Sequence, residues 1–274
     1  MKKVLVPTDF SSCASNALNF AVQSAKLFPM EICIIHIFEE SDDLYPLRKA
    51  ELEHQLDLLK LSISEAEGVT VKTKAIRGLV NDVIISEALA EKVDMIIMGT
   101  FGAGGVMEKL WGSRTAITIK HSPLPVLLIP YDYEWTKPEK MLLATSNFEE
   151  EPALLDFVFG LAGSYKAKIE LAVFTDEDFD DNITVFVKTT HITHYEQRLK
   201  ERYPDAVIEA MQVSGKDFPE AMQQHLRDKN IDMLVMMTYQ KNFVERIFHP
   251  SMTRKMSYIT SVPLLAIPAR GIAV

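Results

Sequence analysis

The sequence predicts an α/β protein written twice: two tandem domains, each a five-stranded parallel sheet with helices on both faces. Three observations predict it. Shifted by 138 residues, segment 94–130 lies over 232–268 without a gap, with identities that include Asp94/Asp232, Met98/Met236, Ser113/Ser251, Thr115/Thr253 and Pro130/Pro268. Short runs that are apolar on nearly every residue alternate with longer amphipathic stretches, as in strands buried on both faces between covering helices. A length of 274 residues also fits two small domains better than one.

In the first copy, the strands are expected at Val4–Pro7, Glu31–Phe38, Val69–Ile76, Met95–Gly99 and Pro125–Pro130. The first, fourth and fifth are almost wholly apolar, which places them in the middle of the sheet or under cover. The intervening helices are expected over 12–28, 46–66, 80–92 and 112–121. The first of these carries Ala14, Leu18, Ala21, Val22 and Ala25 on one stripe at helical spacing. The second copy repeats the order, with strands at 140–145, 168–174, 206–213, 233–237 and 263–268 and helices over 150–164, 182–202, 217–228 and 250–260. The domains are therefore set at 1–134 and 138–274, joined by the polar, aromatic segment Tyr131–Pro138. The fifth strands would be sheet edges that need pairing or cover.

A formal net charge of −9 argues against a broad basic face for nucleic acid or anionic membrane. A site for a polyanion must then be local and built from backbone N–H groups. Cys13 and Cys33 offer neither a disulfide framework nor metal-ligand spacing, and fit two small buried residues in a reducing cytosol. Lys2-Lys3 resembles the start of a signal peptide, but Val4-Leu5-Val6 is far too short for its apolar core. No stretch approaches the roughly 18 apolar residues of a membrane span, so the expected location is the cytoplasm.

In an open α/β sheet, ligands sit beyond the carboxyl ends of the strands, here just after Val6, Ile37 and Met98. The fourth strand runs into Gly99-Thr100-Phe101-Gly102-Ala103-Gly104-Gly105, and Gly112-Ser113 then opens a helix. Glycines let backbone approach a ligand, and a helix start offers N–H groups to phosphate, with Lys109 and Arg114 near enough to add charge. By spacing alone, a plain glycine-rich turn with a serine N-cap is an equal reading. No P-loop run is present. The dinucleotide pattern fails as well, since Met107 stands where its third glycine belongs.

Gly99-x2-Gly102-x9-Gly112-Ser113 resembles the nucleotide motif of the universal stress proteins, the universal stress protein A family. Pro7-Thr8-Asp9-Phe10-Ser11 resembles its opening signature, and His36-Ile37 and His121-Ser122-Pro123-Leu124-Pro125-Val126 match its second and fifth strands. The resemblance implies a tandem-domain member with strand order 3-2-1-4-5 and an ATP site in the first domain, with Mg²⁺ as a possible companion ion. Carried over, the site comprises Pro7, Thr8, Asp9, Ile37, Met98, Gly99, Gly102, Gly112, Ser113 and Arg114. Asp9 would take the ribose hydroxyls or lie beside the phosphates, Ile37 and Met98 would hold the adenine, and the glycines with Ser113 and the Arg114 N–H would bind phosphate. Arg114 and Phe101 depart from the usual small and polar residues.

The second copy departs further. Met237, Gln240 and Pro250 replace Gly99, Gly102 and Gly112, and Ser146 replaces Asp9. It is expected not to bind ATP in the family manner, and to be a structural partner or a pocket for another ligand. The functional expectation is a nucleotide-dependent switch or interaction module in a stress response, with an unknown protein partner. In the family, fifth strands pair across a two-fold axis, so the two domains are expected to form an internal pseudo-dimer, and a homodimer of chains stays open. Two alternatives remain: a slow ATPase or autokinase using Asp9 and Ser113, and a nucleotide-free scaffold with Arg114 and Phe101 filling the cleft. His191-x-x-His194 reads as a solvated or partner-facing pair rather than a metal site, and the acidic runs 39–43 and 176–181 read as solvated loops.

Overall fold

The computed structural model describes residues 3–39, 45–100, 113–145, 148, 151–238 and 261–268. The chain divides into two compact units, Met1–Trp135 and Thr136–Val274. In the first unit the order is β1 (Lys3–Thr8), α1 (Ser12–Leu27), β2 (Glu31–Phe38), α2 (Tyr45–Glu67), β3 (Val71–Arg77), α3 (Val80–Ala90), β4 (Met95–Gly99), α4 (Ser113–His121) and β5 (Val126–Ile129). The strands are parallel and ordered β3-β2-β1-β4-β5, as the family resemblance implied. Right-handed crossovers put the two leftward helices on one face and the two rightward ones on the other. The contacts agree, since α1 touches α2 and α3 touches α4.

Burial explains why the strands were readable. Val4–Val6, Met95–Ile97 and Leu127–Ile129 have no exposed surface at all. Strand β3, at the sheet margin, buries Val71 but exposes the lysines that alternate with its half-buried residues. It begins two residues later than expected. Val69 is still a buried lead-in, and the Thr70 carbonyl accepts the Ile32 N–H at 3.1 Å before the strand proper starts.

Helix α1 starts cleanly because Ser11 caps it, its hydroxyl accepting the Ala14 N–H at 3.2 Å. The segment after β5 is not a bare linker. Trp135 packs edge-on against Phe20 of α1 with ring centroids 4.8 Å apart, and Tyr133 lies at 6.0 Å from the same ring.

The second unit follows the same plan: β6 (Lys140–Thr145), α5 (Pro152–Tyr165), β7 (Lys168–Asp176), α6 (Asn182–Arg202), β8 (Ile208–Gly215), α7 (Phe218–Asp228), β9 (Met233–Thr238) and β10 (Leu264–Pro268). Its strands are also parallel and ordered β8-β7-β6-β9-β10. The helix expected over 250–260 lies outside the described residues. No described helix is long and apolar enough to cross a membrane.

Candidate functional site

Topology singles out one place in the first unit. From β1 the chain crosses to β2 on one side, and from β4 it crosses to β5 on the other, so the switch in direction falls between β1 and β4. A crevice is expected at their carboxyl ends. The ladder there is short: Val4 pairs with Met95, Leu5 pairs with Ile96, and the pairing then ends.

Pro7 explains why. The Lys3 carbonyl accepts the Asp94 N–H at 2.9 Å, so Lys3 faces β4, and at a period of two Leu5 and Pro7 face it as well. Proline has no N–H to give the next rung, so a central strand tolerates it only where pairing stops. On its other side β1 stays paired with β2 as far as Thr8 and His36.

The residues at this edge hold one another in place. Phe10 adopts a left-handed conformation (φ 60°), rare for a bulky residue. Its N–H donates to the Thr8 hydroxyl at 3.1 Å, and its ring stacks on His36 at 4.8 Å between centroids. The His36 Nδ1 lies 2.9 Å from the Thr8 carbonyl, which only accepts, so Nδ1 carries the proton. Burial pushes the imidazole below its ordinary 6.5. Asp9 folds back beside the helix start, accepting the Ser11 N–H at 3.1 Å. The Asp9 carboxylate thus lies at the positive end of α1, while the first turns of α1 and α4 themselves carry no acidic residue.

Gly99 does more than relieve a loop. A Cβ built on it would lie 2.6 Å from the Cys13 Sγ and 2.7 Å from the Cys13 carbonyl oxygen. The missing side chain is what lets the first turn of α1 sit against the end of β4. On the other side, the Thr115 hydroxyl reaches the Gly99 and Thr100 carbonyls at 3.3 and 3.2 Å, tying the first turn of α4 to the same strand end. Both helix starts therefore converge on β4.

Among the expected site residues, Pro7, Thr8, Asp9, Ile37, Met98, Gly99 and Arg114 come together at this carboxyl edge. Thr8 and Met98 are buried, Pro7, Asp9 and Ile37 are half-buried, and Arg114 is exposed at the start of α4. Gly102 and Gly112 lie outside the described residues. Ser113 is described only as the first residue of α4. Sequence reasoning missed Cys13 and Thr115. Thr115 was signalled by its identity with Thr253 in the repeat, whereas no local pattern marks Cys13 as the residue opposite Gly99.

The matching edge of the second unit is built differently. Ala144 stands where Pro7 does, and the β6–β9 ladder runs two rungs further, pairing Leu143 with Val235 and Ala144 with Met236. Buried Met237 occupies the Gly99 position. Phe148 repeats the left-handed phenylalanine (φ 47°), its N–H held by the Thr145 hydroxyl at 3.0 Å. Its ring instead packs edge-on against His191 and Tyr195 of α6. His194 is exposed on the same helix.

At the amino ends of the first unit's strands, Glu31, Cys33 and Glu91 bring potential ligand atoms within 4.8 Å of one another. The Lys3 ammonium pairs with Glu91 and lies 3.2 Å from Glu31, so a cation is already built into the cluster. Burial pushes the Cys33 thiol up to about 11, which makes it a poor nucleophile.

A family model described as the Universal stress protein family matches residues 1–130 and, a second time, 138–268. The chain belongs to the universal stress protein family. Among its relatives, Universal stress protein MJ0531 of Methanocaldococcus jannaschii is 30% identical over 139 residues, spanning 47% of this chain and 81% of the relative. Universal stress protein MJ0577 of the same organism is 31% identical over 152 residues, spanning 47% of this chain and 94% of the relative. Each of these relatives matches about half of the tandem chain. The crystal structure of a universal stress protein from Archaeoglobus fulgidus superposes with a TM-score of 0.73 at 18% identity, covering 97% of this chain and 96% of that one. That likeness extends the universal stress protein fold across both units.

Proposed function

We propose that the first unit binds ATP at the carboxyl edge between β1 and β4, and that the protein acts as a nucleotide-dependent switch or interaction module in a stress response. One observation carries the reading. The β1–β4 ladder ends after two rungs at Pro7, while the duplicate ladder is zipped past the same point. A crevice at a switch point, with the starts of α1 and α4 both anchored at its edge, suits a phosphate chain. Half-buried Ile37 and buried Met98 supply apolar contact for a base, Asp9 lies where ribose hydroxyls would need an acceptor, and the Gly99–Ser113 motif supplies backbone donors. Arg114 adds a cation at the rim. The second unit serves as structural partner or as a pocket for another ligand, a reading supported by buried Met237 and the longer β6–β9 ladder.

Titration calorimetry on the purified chain tests this reading. One ATP per chain is expected, with affinity falling at least tenfold in Asp9→Ala and in Gly112→Val and unchanged in Ser146→Ala. Stoichiometric binding that survives both of the first two substitutions would overturn the assignment.

A further inference from the structure

Helix α6 carries an apolar patch on its outward side that its own unit does not cover. Ile192, Tyr195 and Leu199 face inward and are buried. On the opposite side, Ile183, Phe186 and Val187 are 73%, 71% and 41% exposed, and Phe179 just ahead of the helix is 87% exposed. Ile183, Phe186 and Val187, spaced by three and four, share one stripe of the helix, and Phe179 stands exposed in the turn that leads into it. Beyond Val187 the same face turns polar through Thr190 and His194. The patch is thus confined to the first two turns and the residue that leads into them. Two widely exposed phenylalanines within eight residues, with Ile183 and Val187 between and beside them in sequence, stand out, whereas single exposed apolar residues are common.

We infer that this patch is a self-association surface, on which α6 of a second copy of the chain packs antiparallel to the first. Charge selects the partner and the direction. The patch is bordered on its amino-terminal side by Glu177, Asp178, Asp180 and Asp181, four carboxylates with two lysines paired to them: Lys188 to Asp180 and Lys216 to Asp178. From Asn182 to Tyr195 the helix has no carboxylate at all and carries His191 and His194. Parallel packing would set one acidic border against the other. Antiparallel packing sets each acidic border against the acid-free, histidine-bearing stretch of its partner, lays Phe186 and Val187 near the axis against their own copies and seats each Ile183 over the Thr190 turn of the other.

Area is sufficient as well. At about 150–250 Å² per aromatic side chain, the phenylalanines of two copies, with their isoleucines and valines, reach the scale of a small specific interface, roughly 1,000 Å². The two-fold axis would pass near Phe186 and Val187, so each patch is buried by its own equivalent.

Sedimentation of the full chain over a range of concentrations tests the inference. A reversible dimer is expected, weakened at least tenfold by Ile183→Asp or Phe186→Asp, surface changes that leave the circular dichroism spectrum and nucleotide binding intact. The native cysteines are buried, so an added thiol reports geometry. Val187→Cys should form an intermolecular disulfide under mild oxidation and Gln197→Cys should not. A chain that stays monomeric at every concentration, or a dimer indifferent to both aspartate variants, would overturn the proposal. Equal cross-linking at 187 and 197 would overturn the antiparallel arrangement.

Discussion

Gly99 and Pro7 each act through what they lack. Gly99 has no Cβ, and the space is taken by Cys13, including its carbonyl oxygen. Backbone cannot swing aside as a flexible side chain would, so Gly99→Ala should cost about 1–3 kcal/mol, the scale of overpacking in a tight core. It should also push the start of α1 away from β4. Chemical denaturation checks the stability, and calorimetry checks the accompanying loss of ATP affinity. If the clash with backbone dominates, Cys13→Ala in the same chain restores only part of either.

Pro7 lacks an N–H on the side that faces β4. Pro7→Ala returns that donor, so the ladder is expected to gain a rung. Stability should then hold or rise by up to about 1 kcal/mol while ATP affinity falls. The two measurements moving in opposite directions would be the signature. The glycine was legible in the sequence because its motif was, but its partner was not. Cys13 lies 86 residues away, and nothing local connects the two. Phe10 was equally silent, because its left-handed backbone is imposed by the Thr8 hydroxyl and the His36 ring.

The elements that were easiest to read are those that water never touches. Strands β1, β4 and β5 are apolar on nearly every residue because both faces are covered. Strand β3 was placed two residues early, since a marginal strand alternates and its ends carry weak signals. The pairings between strand ends were invisible beforehand. Lys3 of β1 meets Glu91 beyond α3, and Lys74 of β3 joins them. Held chiefly by Lys3 and then by Lys74, the Glu91 carboxyl falls to about 2 from its ordinary 4.5.

The unfolded chain takes up that proton near 4.5 while the folded chain resists until about 2, so acid favours unfolding across that interval. The contribution is complete above 4.5 and is lost as the pH falls through about 2. Glu91→Gln should therefore lower stability at neutral pH and flatten the acid limb of the unfolding profile between those values. Thermal melts from pH 2 to 7 would show it.

For the whole molecule, the repeat was the most informative feature of the sequence, because it predicted the architecture of both units from one. It also misled in a useful way, since the copies share a fold while their strand ends differ. If the first unit alone holds the nucleotide, ATP should slow backbone hydrogen exchange at 5–12, 36–38 and 97–100 and leave 140–146 and 233–238 unaltered. At a hundredfold excess over its dissociation constant, ATP should add about 2.7 kcal/mol to the unit that binds it. Equal protection in both units would contradict a single site.

The zipped ladder of the second unit also sets how many substitutions stand between it and a site like the one proposed for the first. Opening it would take a proline in place of Ala144, a glycine in place of Met237 and a shorter approach to the helix, because six residues separate β6 from α5 where three separate β1 from α1. Each change made alone removes a rung, empties a packed site or strains a turn, and none by itself yields a ligand. A site of the proposed kind there would need these changes together with others at Ser146, Gln240 and Pro250, which stand where Asp9, Gly102 and Gly112 do. Single substitutions therefore reach some other use of this edge far more readily than an ATP site.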